Sequence, residues 1–210
     1  MTKTAGFTLI EMLVSLVLLS AIVLLGSSSY GIFSQRWDGQ LGKFDRTLQD
    51  VRDLMLVDSV LNSLIPYVTY DQSETPVLYF GGNRNGFVSV STKSIFSEKI
   101  PAVVRFSAVQ RADLTFDITY EEWPMKDDVL RSTYQNFNFA QPIKLFEAVT
   151  SPNFEYYGWE SVIEREGFSD DRNPMPATWL SSLNSLEASL LPERIRLSFY
   201  NNGEYKEINT

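Results

Sequence analysis

The chain contains neither cysteine nor histidine in its 210 residues. That double absence removes disulfide staples, thiolate nucleophiles, Cys/His zinc centres and every catalytic triad that uses imidazole as its base. Missing cysteine does not fix the compartment, because a domain of about 140 residues buries enough apolar surface to fold without a cross-link. Basic side chains are also scarce: 18 Lys and Arg stand against 26 Asp and Glu, a net charge of −8. No basic low-complexity tract occurs, so passive binding to nucleic acid or to anionic lipid is disfavoured. There is no internal repeat, and the length allows one anchor and one domain of ordinary size.

What the chain has instead is a long hydrophobic run close to its start. Phe7 to Leu25 is overwhelmingly apolar, and after Glu11 no charged side chain appears until Arg36. The length is that of a membrane-crossing helix, assigned here to residues 7–30. A charge inside such a helix costs about 2.5–3.5 kcal/mol on insertion scales, so Glu11 asks for a cation. A plain anchor whose Glu11 snorkels to the interface is the simpler alternative. A secretory signal would place a small-residue cleavage site after a shorter apolar core. Here the polar residues 1–6 come first and the apolar run is too long, so processing that spares the anchor has to cut before it.

Gly6-Phe7-Thr8-Leu9-Ile10-Glu11 resembles the start of the type IV pilins and pseudopilins. In that family a prepilin peptidase cuts between the glycine and the next residue, and the new amine is methylated. The resemblance implies a leader over residues 1–6, cleavage between Gly6 and Phe7, and N-methylation of Phe7. It further implies that the Phe7 amine of one subunit meets the Glu11 carboxylate of another during assembly. The pair offsets the burial of both charges when the subunits stand in one axial register. Lys3 on one side and Arg36, Lys43 and Arg46 on the other do not settle orientation by positive-inside counting; the resemblance implies a head in the periplasm. Many major pilins carry a proline partway down this helix. Here the neighbourhood reads Gly26-Ser27-Ser28-Ser29-Tyr30-Gly31, which leaves room for a kink or a melted turn and leans towards a minor subunit.

Phe33, Trp37, Leu41, Phe44, Leu48, Val51, Met55 and Leu61 recur at helical spacing. They predict an amphipathic continuation of the helix over residues 31–65, ending before Pro66, with this stripe turned to the core. Beyond Pro66 the period becomes two. Leu114, Phe116, Ile118 and Tyr120 alternate with Thr115, Asp117, Thr119 and Glu121 as in a half-buried strand, and Ile195, Leu197 and Phe199 alternate with Arg194, Arg196 and Ser198. Strands are also expected over 77–80, 87–91 and 103–109, with Gly81 to Gly86 as the hairpin connection between the first two. Residues 167–174, rich in turn formers, read as a surface loop. The expected fold is α+β, a long N-terminal helix packed on a mainly antiparallel β head over residues 66–210.

Within the superfamily, several head segments resemble the J-type minor pseudopilin of type II secretion, and in the same order. They are Leu48 to Leu54, Leu114 to Pro124, Leu145 to Val149 running into Phe154 to Tyr157, Trp179, and Leu191 to Leu197. The resemblance implies a low-copy subunit that joins the I-type and K-type minor pseudopilins and the major pseudopilin at the inner membrane to prime a pseudopilus. Minor pilins of type IV pili and of mannose-sensitive haemagglutinin-type pili share parts of the pattern, so an adhesive or binding role in such a pilus is the alternative. The K-type tip subunit usually lacks the glutamate, which implies a place below the apex for this chain. Neither a cofactor nor a metal nor nucleic acid is expected.

Other constellations favour bland readings. Asp127 and Asp128, with Asp170 and Asp171, are acidic enough for calcium, but no loop has the ligand spacing of a known site. Glu121 and Glu122 are adjacent, so on a strand they point to opposite faces and cannot act as an acid/base pair. Gly81-Gly82 with Arg84 lacks the helix and the full glycine pattern of a phosphate cradle. Trp123, Tyr156, Tyr157, Trp159 and Trp179 suit core packing better than a sugar-stacking surface.

Overall fold

A computed structural model describes residues 9–96, 100–167 and 175–210, without the side chains of residues 35–47, 49 and 50. The chain divides into two compact units, Met1–Asp50 and Val51–Thr210. The helix α1 runs over Leu9–Leu61, and its last residues belong to the second unit. Ser63 closes it: the hydroxyl donates to the Val60 carbonyl at 2.8 Å and shares a 2.7 Å hydrogen bond with the Ser91 hydroxyl. Chain exit from the helix is thereby tied to the sheet.

The second unit is mainly antiparallel β. In chain order its strands are β1 (Leu64–Ile65), β2 (Val68–Tyr70), β3 (Pro76–Leu78), β4 (Gly81–Asn83), β5 (Gly86–Ser91), β6 (Ala102–Gln110), β7 (Phe116–Pro124) and β8 (Ile143–Gly158). There follow a short helix α2 (Val162–Glu166), β9 (Thr178–Leu180), β10 (Leu183–Asn184), a second short helix α3 (Ser185–Ala188), β11 (Arg194–Asn201) and β12 (Glu204–Asn209). One sheet takes the order β10-β4-β5-β6-β7-β8-β11-β12, with β1 on β5 and β9 on β8, while β2 and β3 form a separate ribbon. The α+β expectation is met.

The core lies under one face of this sheet. Val57, Val60 and Leu61 from α1 join Phe87, Phe106, Ile118, Tyr120, Phe154, Tyr156, Leu197 and Phe199. Aromatic rings carry much of the cluster: Phe87 stacks on Phe106 at 5.1 Å, and Tyr120 meets Phe106 edge-on at 5.1 Å. A second cluster of Val90, Val103 and Leu130 covers the opposite face, where Trp123 packs on Phe137 at 5.0 Å.

Several expectations are refined. The helical stripe is displaced: Met55 is 68 % exposed and Val51 40 %, whereas Val57 and Val60 are buried. Both faces of α1 carry apolar residues at this height, and the sheet takes the one containing Val57. Side chains of Trp37, Leu41 and Phe44 lie outside the description. β7 begins at Phe116, not Leu114, because Leu114 takes a left-handed φ of 64° in the preceding turn. Nor is β7 half-buried: Asp117 and Thr119, on its polar side, are buried as well. The Gly81–Gly86 connection is shorter than expected, since Gly81–Asn83 pairs with β5 and leaves Arg84 and Asn85 as the turn. Residues 77–80 do not form a single strand, because β3 pairs with β2 and the chain then switches sheets. Of the loop 167–174, only Gly167 is described, as the C-cap of α2.

Candidate functional site

The first part of α1 is built from Leu, Ile, Val and small residues. Leu9–Ser34 is long and apolar enough to cross a membrane, and none of it is buried within the molecule. At 1.5 Å per residue it exceeds the roughly 30 Å hydrocarbon thickness of a bilayer. Leu9 is 83 % exposed and Leu24 71 %, an apolar surface that water does not tolerate over such a length.

Two serines within this stretch satisfy their donors locally. The Ser20 hydroxyl donates to the Leu16 carbonyl at 2.8 Å, and the Ser28 hydroxyl donates to the Leu25 carbonyl at 3.0 Å. The Gly26–Gly31 stretch stays helical and shows no melted turn. In hydrocarbon a helix cannot give its backbone hydrogen bonds to water, which favours continuity despite the glycines.

Glu11 lies within this apolar stretch of α1 and is exposed. Gly6 and Phe7 lie outside the described residues, so their spacing from Glu11 is a matter of sequence.

The second unit contains two multiply hydrogen-bonded carboxylates that sequence reading missed. Glu122 is fully buried and accepts from the Ile95 N–H at 2.7 Å, the Phe96 N–H at 2.9 Å, the Tyr120 hydroxyl at 2.5 Å and the Ser94 hydroxyl. Burial first, and then the Glu122 carboxylate, push the Tyr120 phenol up and keep it neutral as a donor. Asp117 accepts from Lys144 at 2.9 Å, Arg111 at 3.0 Å and the Ala148 N–H at 3.2 Å. Burial alone raises its carboxyl, but these three donors outweigh it and hold the group below the usual carboxylate range. The available signal was the i, i+2 spacing of Tyr120 and Glu122 and of Asp117 and Thr119 on a strand already recognised.

The remaining constellations resolve structurally. Glu121 pairs with Arg105 at 2.6 Å on the face away from Glu122, so the two carboxylates are separated as adjacent strand residues must be. Among the described residues no three acidic side chains gather as a metal site requires; Asp127 and Asp128 are exposed, and Asp170 and Asp171 lie outside the description. Gly81 and Gly82 are strand residues. Tyr156 is core and Trp123 joins the second cluster, while Tyr157 and Trp179 pack at 5.2 Å on the outer sheet face. Arg196 lies 4.1 Å above the Trp179 ring, which occupies the face a sugar would stack on. Trp159 donates its indole N–H to the Met175 carbonyl at 2.6 Å.

Among curated proteins no relative matches the chain. Its residues 1–27 match the family described as the Prokaryotic N-terminal methylation motif. The matched stretch includes Gly6, Phe7 and Glu11 and covers the first turns of the exposed apolar helix. Motif and helix together support a membrane-anchored protein of the type IV pilin-like class.

Proposed function

We propose that the chain is a structural subunit of a pseudopilus, the J-type minor pseudopilin of type II protein secretion. The observation that carries this reading is Glu11 on an apolar helix none of which is buried, inside the stretch that matches the methylation motif. Proteins with this motif are structural rather than enzymatic. The order of the head segments supports the J-type assignment.

In this reading prepilin peptidase cuts between Gly6 and Phe7 and the Phe7 amine is methylated but stays cationic. Residues 1–6 are the leader, 7–30 cross the bacterial inner membrane once, 31–65 extend the helix, and 66–210 form a periplasmic head. During assembly the Glu11 carboxylate of one subunit meets the Phe7 amine of its neighbour. A charge-assisted hydrogen bond is short and directional and is strengthened by a low dielectric, so it sets the axial step of the filament. Partners are the I-type and K-type minor pseudopilins, the major pseudopilin and the membrane itself.

The test combines two measurements. Mass spectrometry of cell-made protein is expected to show a chain beginning at methylated Phe7; retention of residues 1–6 overturns the filament reading. Co-purification of the full chain in detergent with candidate I-type and K-type subunits is expected to give a complex. Capture instead by the subunits of an adhesive pilus assigns the chain to the minor-pilin alternative.

A further inference from the structure

The strand pairing leaves a seam in the sheet at Ser89. On one side β5 pairs with β6, and there Ser89 faces Val104. The other side is shared by two strands that approach from opposite ends: β1 pairs Ile65 with Val90, and β4 pairs Gly81 with Val88. Both stop one residue short of Ser89. Next in register from β1 is Pro66, which has no N–H to continue the ladder. Next from β4 is Phe80, whose carbonyl accepts from the Ser185 N–H at 3.0 Å instead.

A cavity of about 290 Å³ opens at this seam, with Leu61, Pro66, Phe80, Pro192 and Ile195 in its walls beside Ser89. All its lining residues belong to the second unit. Ser89 has the strand parity of Phe87, so its side chain points to the core side of β5, where Leu61, Phe80 and Ile195 also lie. It is 2 % exposed, and among the described residues nothing hydrogen-bonds its hydroxyl. Unlike the sealed Thr69 hydroxyl, it remains reachable. A buried hydroxyl without a partner is costly, and the cavity is the side from which a partner can come. Thr210 already uses its hydroxyl on the Ile195 backbone, 3.3 Å from the N–H and 3.4 Å from the carbonyl.

We propose that this cavity binds a neutral phenolic ring whose hydroxyl pairs with the Ser89 hydroxyl. The size fits, since an apolar cavity of about 150 Å³ already holds benzene. The shape fits as well: the rigid rings of Pro66 and Pro192 and the ring of Phe80 present flat faces and edges to an aromatic guest. The charged residues at the margin, Glu193 and Arg194, are exposed. No buried charge is therefore at hand to pair with a charged ligand, which selects a neutral one. A free small molecule and a tyrosine side chain of a partner protein offer the same chemistry. The inference stands on the second unit alone and does not depend on the function proposed above.

The full chain, with isotope-labelled methyl groups, is titrated in detergent micelles with p-cresol, toluene and cyclohexanol and followed by NMR. Saturable shifts of the Leu61 and Ile195 methyls are expected with p-cresol. Toluene has no hydroxyl and is expected to bind about tenfold more weakly; cyclohexanol, which has no flat ring, is also expected to bind more weakly. Ser89→Ala is expected to weaken p-cresol binding about tenfold, to the level of toluene. The same variant should melt like the parent, because its lost hydroxyl had no partner in the fold. A capped alanine-tyrosine-alanine peptide that saturates the same methyls supports the site and names a partner's tyrosine as the source; saturation by p-cresol alone supports it and names a free phenol. Shifts confined to the methyls of residues 9–34 report partition into the micelle and overturn the inference. Equal binding of toluene or cyclohexanol, unchanged affinity of Ser89→Ala, or a lowered melt of that variant overturns it too.

Discussion

The phenol ring of Tyr156 on β8 lies against the backbone of Gly82 on β4, and a Cβ at that glycine would stand 2.7 Å from the ring Cε1. The same hydroxyl reaches the carbonyls of Asn83 and Gly86 at 2.8 Å each, spanning both sides of the hairpin turn. Tyr156 thus joins two parts of the sheet that are distant in the chain.

Gly82→Ala is therefore expected to destabilise the fold by about 1–3 kcal/mol, the usual cost of overpacking a core. Tyr156→Phe keeps the ring and removes only the hydroxyl, at about 1–2 kcal/mol. Urea denaturation followed by tryptophan fluorescence measures both; a neutral Gly82→Ala contradicts the contact.

Glu122 binds four donors in a site closed to water. Glu122→Ala removes this shared acceptor from all four and is expected to cost about 3 kcal/mol or more. Glu122→Gln keeps the shape but presents N–H groups to donors, so an intermediate loss is expected. Amide exchange at Ile95 and Phe96 should accelerate in both variants; unchanged exchange there rules out the carboxylate as the anchor.

Asp117 gives the head a pH dependence of defined sign. Its carboxyl is held low in the fold, so the stability it contributes is present above the unfolded pKa and disappears as pH falls through the folded one. Asp113 adds to this in the same sense, lowered first by the Thr115 hydroxyl. Thermal melting of the parent is expected to fall as the pH drops below about 4. Asp117→Asn should melt lower at neutral pH and show a shallower acid limb. Parallel pH profiles for the two proteins count against this account.

Glu11→Ala is expected to insert into membrane as well as the parent, since it removes a charge from an apolar helix. It should nevertheless be depleted from assembled filaments by about tenfold or more, the loss of a charge-assisted contact. Fractionation followed by filament shearing separates the two effects. Parental incorporation of Glu11→Ala excludes the docking role.

Much of the fold could be read where one face of an element is apolar and the other is not. The exposed helix and β11, whose Ile195, Leu197 and Phe199 face the core, are of this kind. The motif over Gly6 to Glu11 could be read directly, because it is a contiguous pattern that needs no tertiary contact to be seen. Elements whose pattern depends on distant partners were less so. Asp117 and Thr119 look solvent-facing until Lys144 and Arg111 are placed over them. Gly81 and Gly82 look like a turn until Tyr156 arrives to need the space. β8 is 16 residues long yet carries left-handed residues at Ala148 and Ser151, and these irregularities broke the alternation by which it could have been recognised. Met55 fits a helical stripe as well as Leu54 does, and only the position of the sheet separates them.

The pairing of Leu183 with Gly82 closes one border of the sheet across about a hundred residues of chain. Hairpins β4 to β7 can zip up as soon as they are made, but β4 must wait for β10 before its flank is covered. That border of the sheet accordingly forms late in synthesis, and truncation before residue 183, which leaves β4 uncovered and also removes β11 and β12, should yield a species prone to sticking to others.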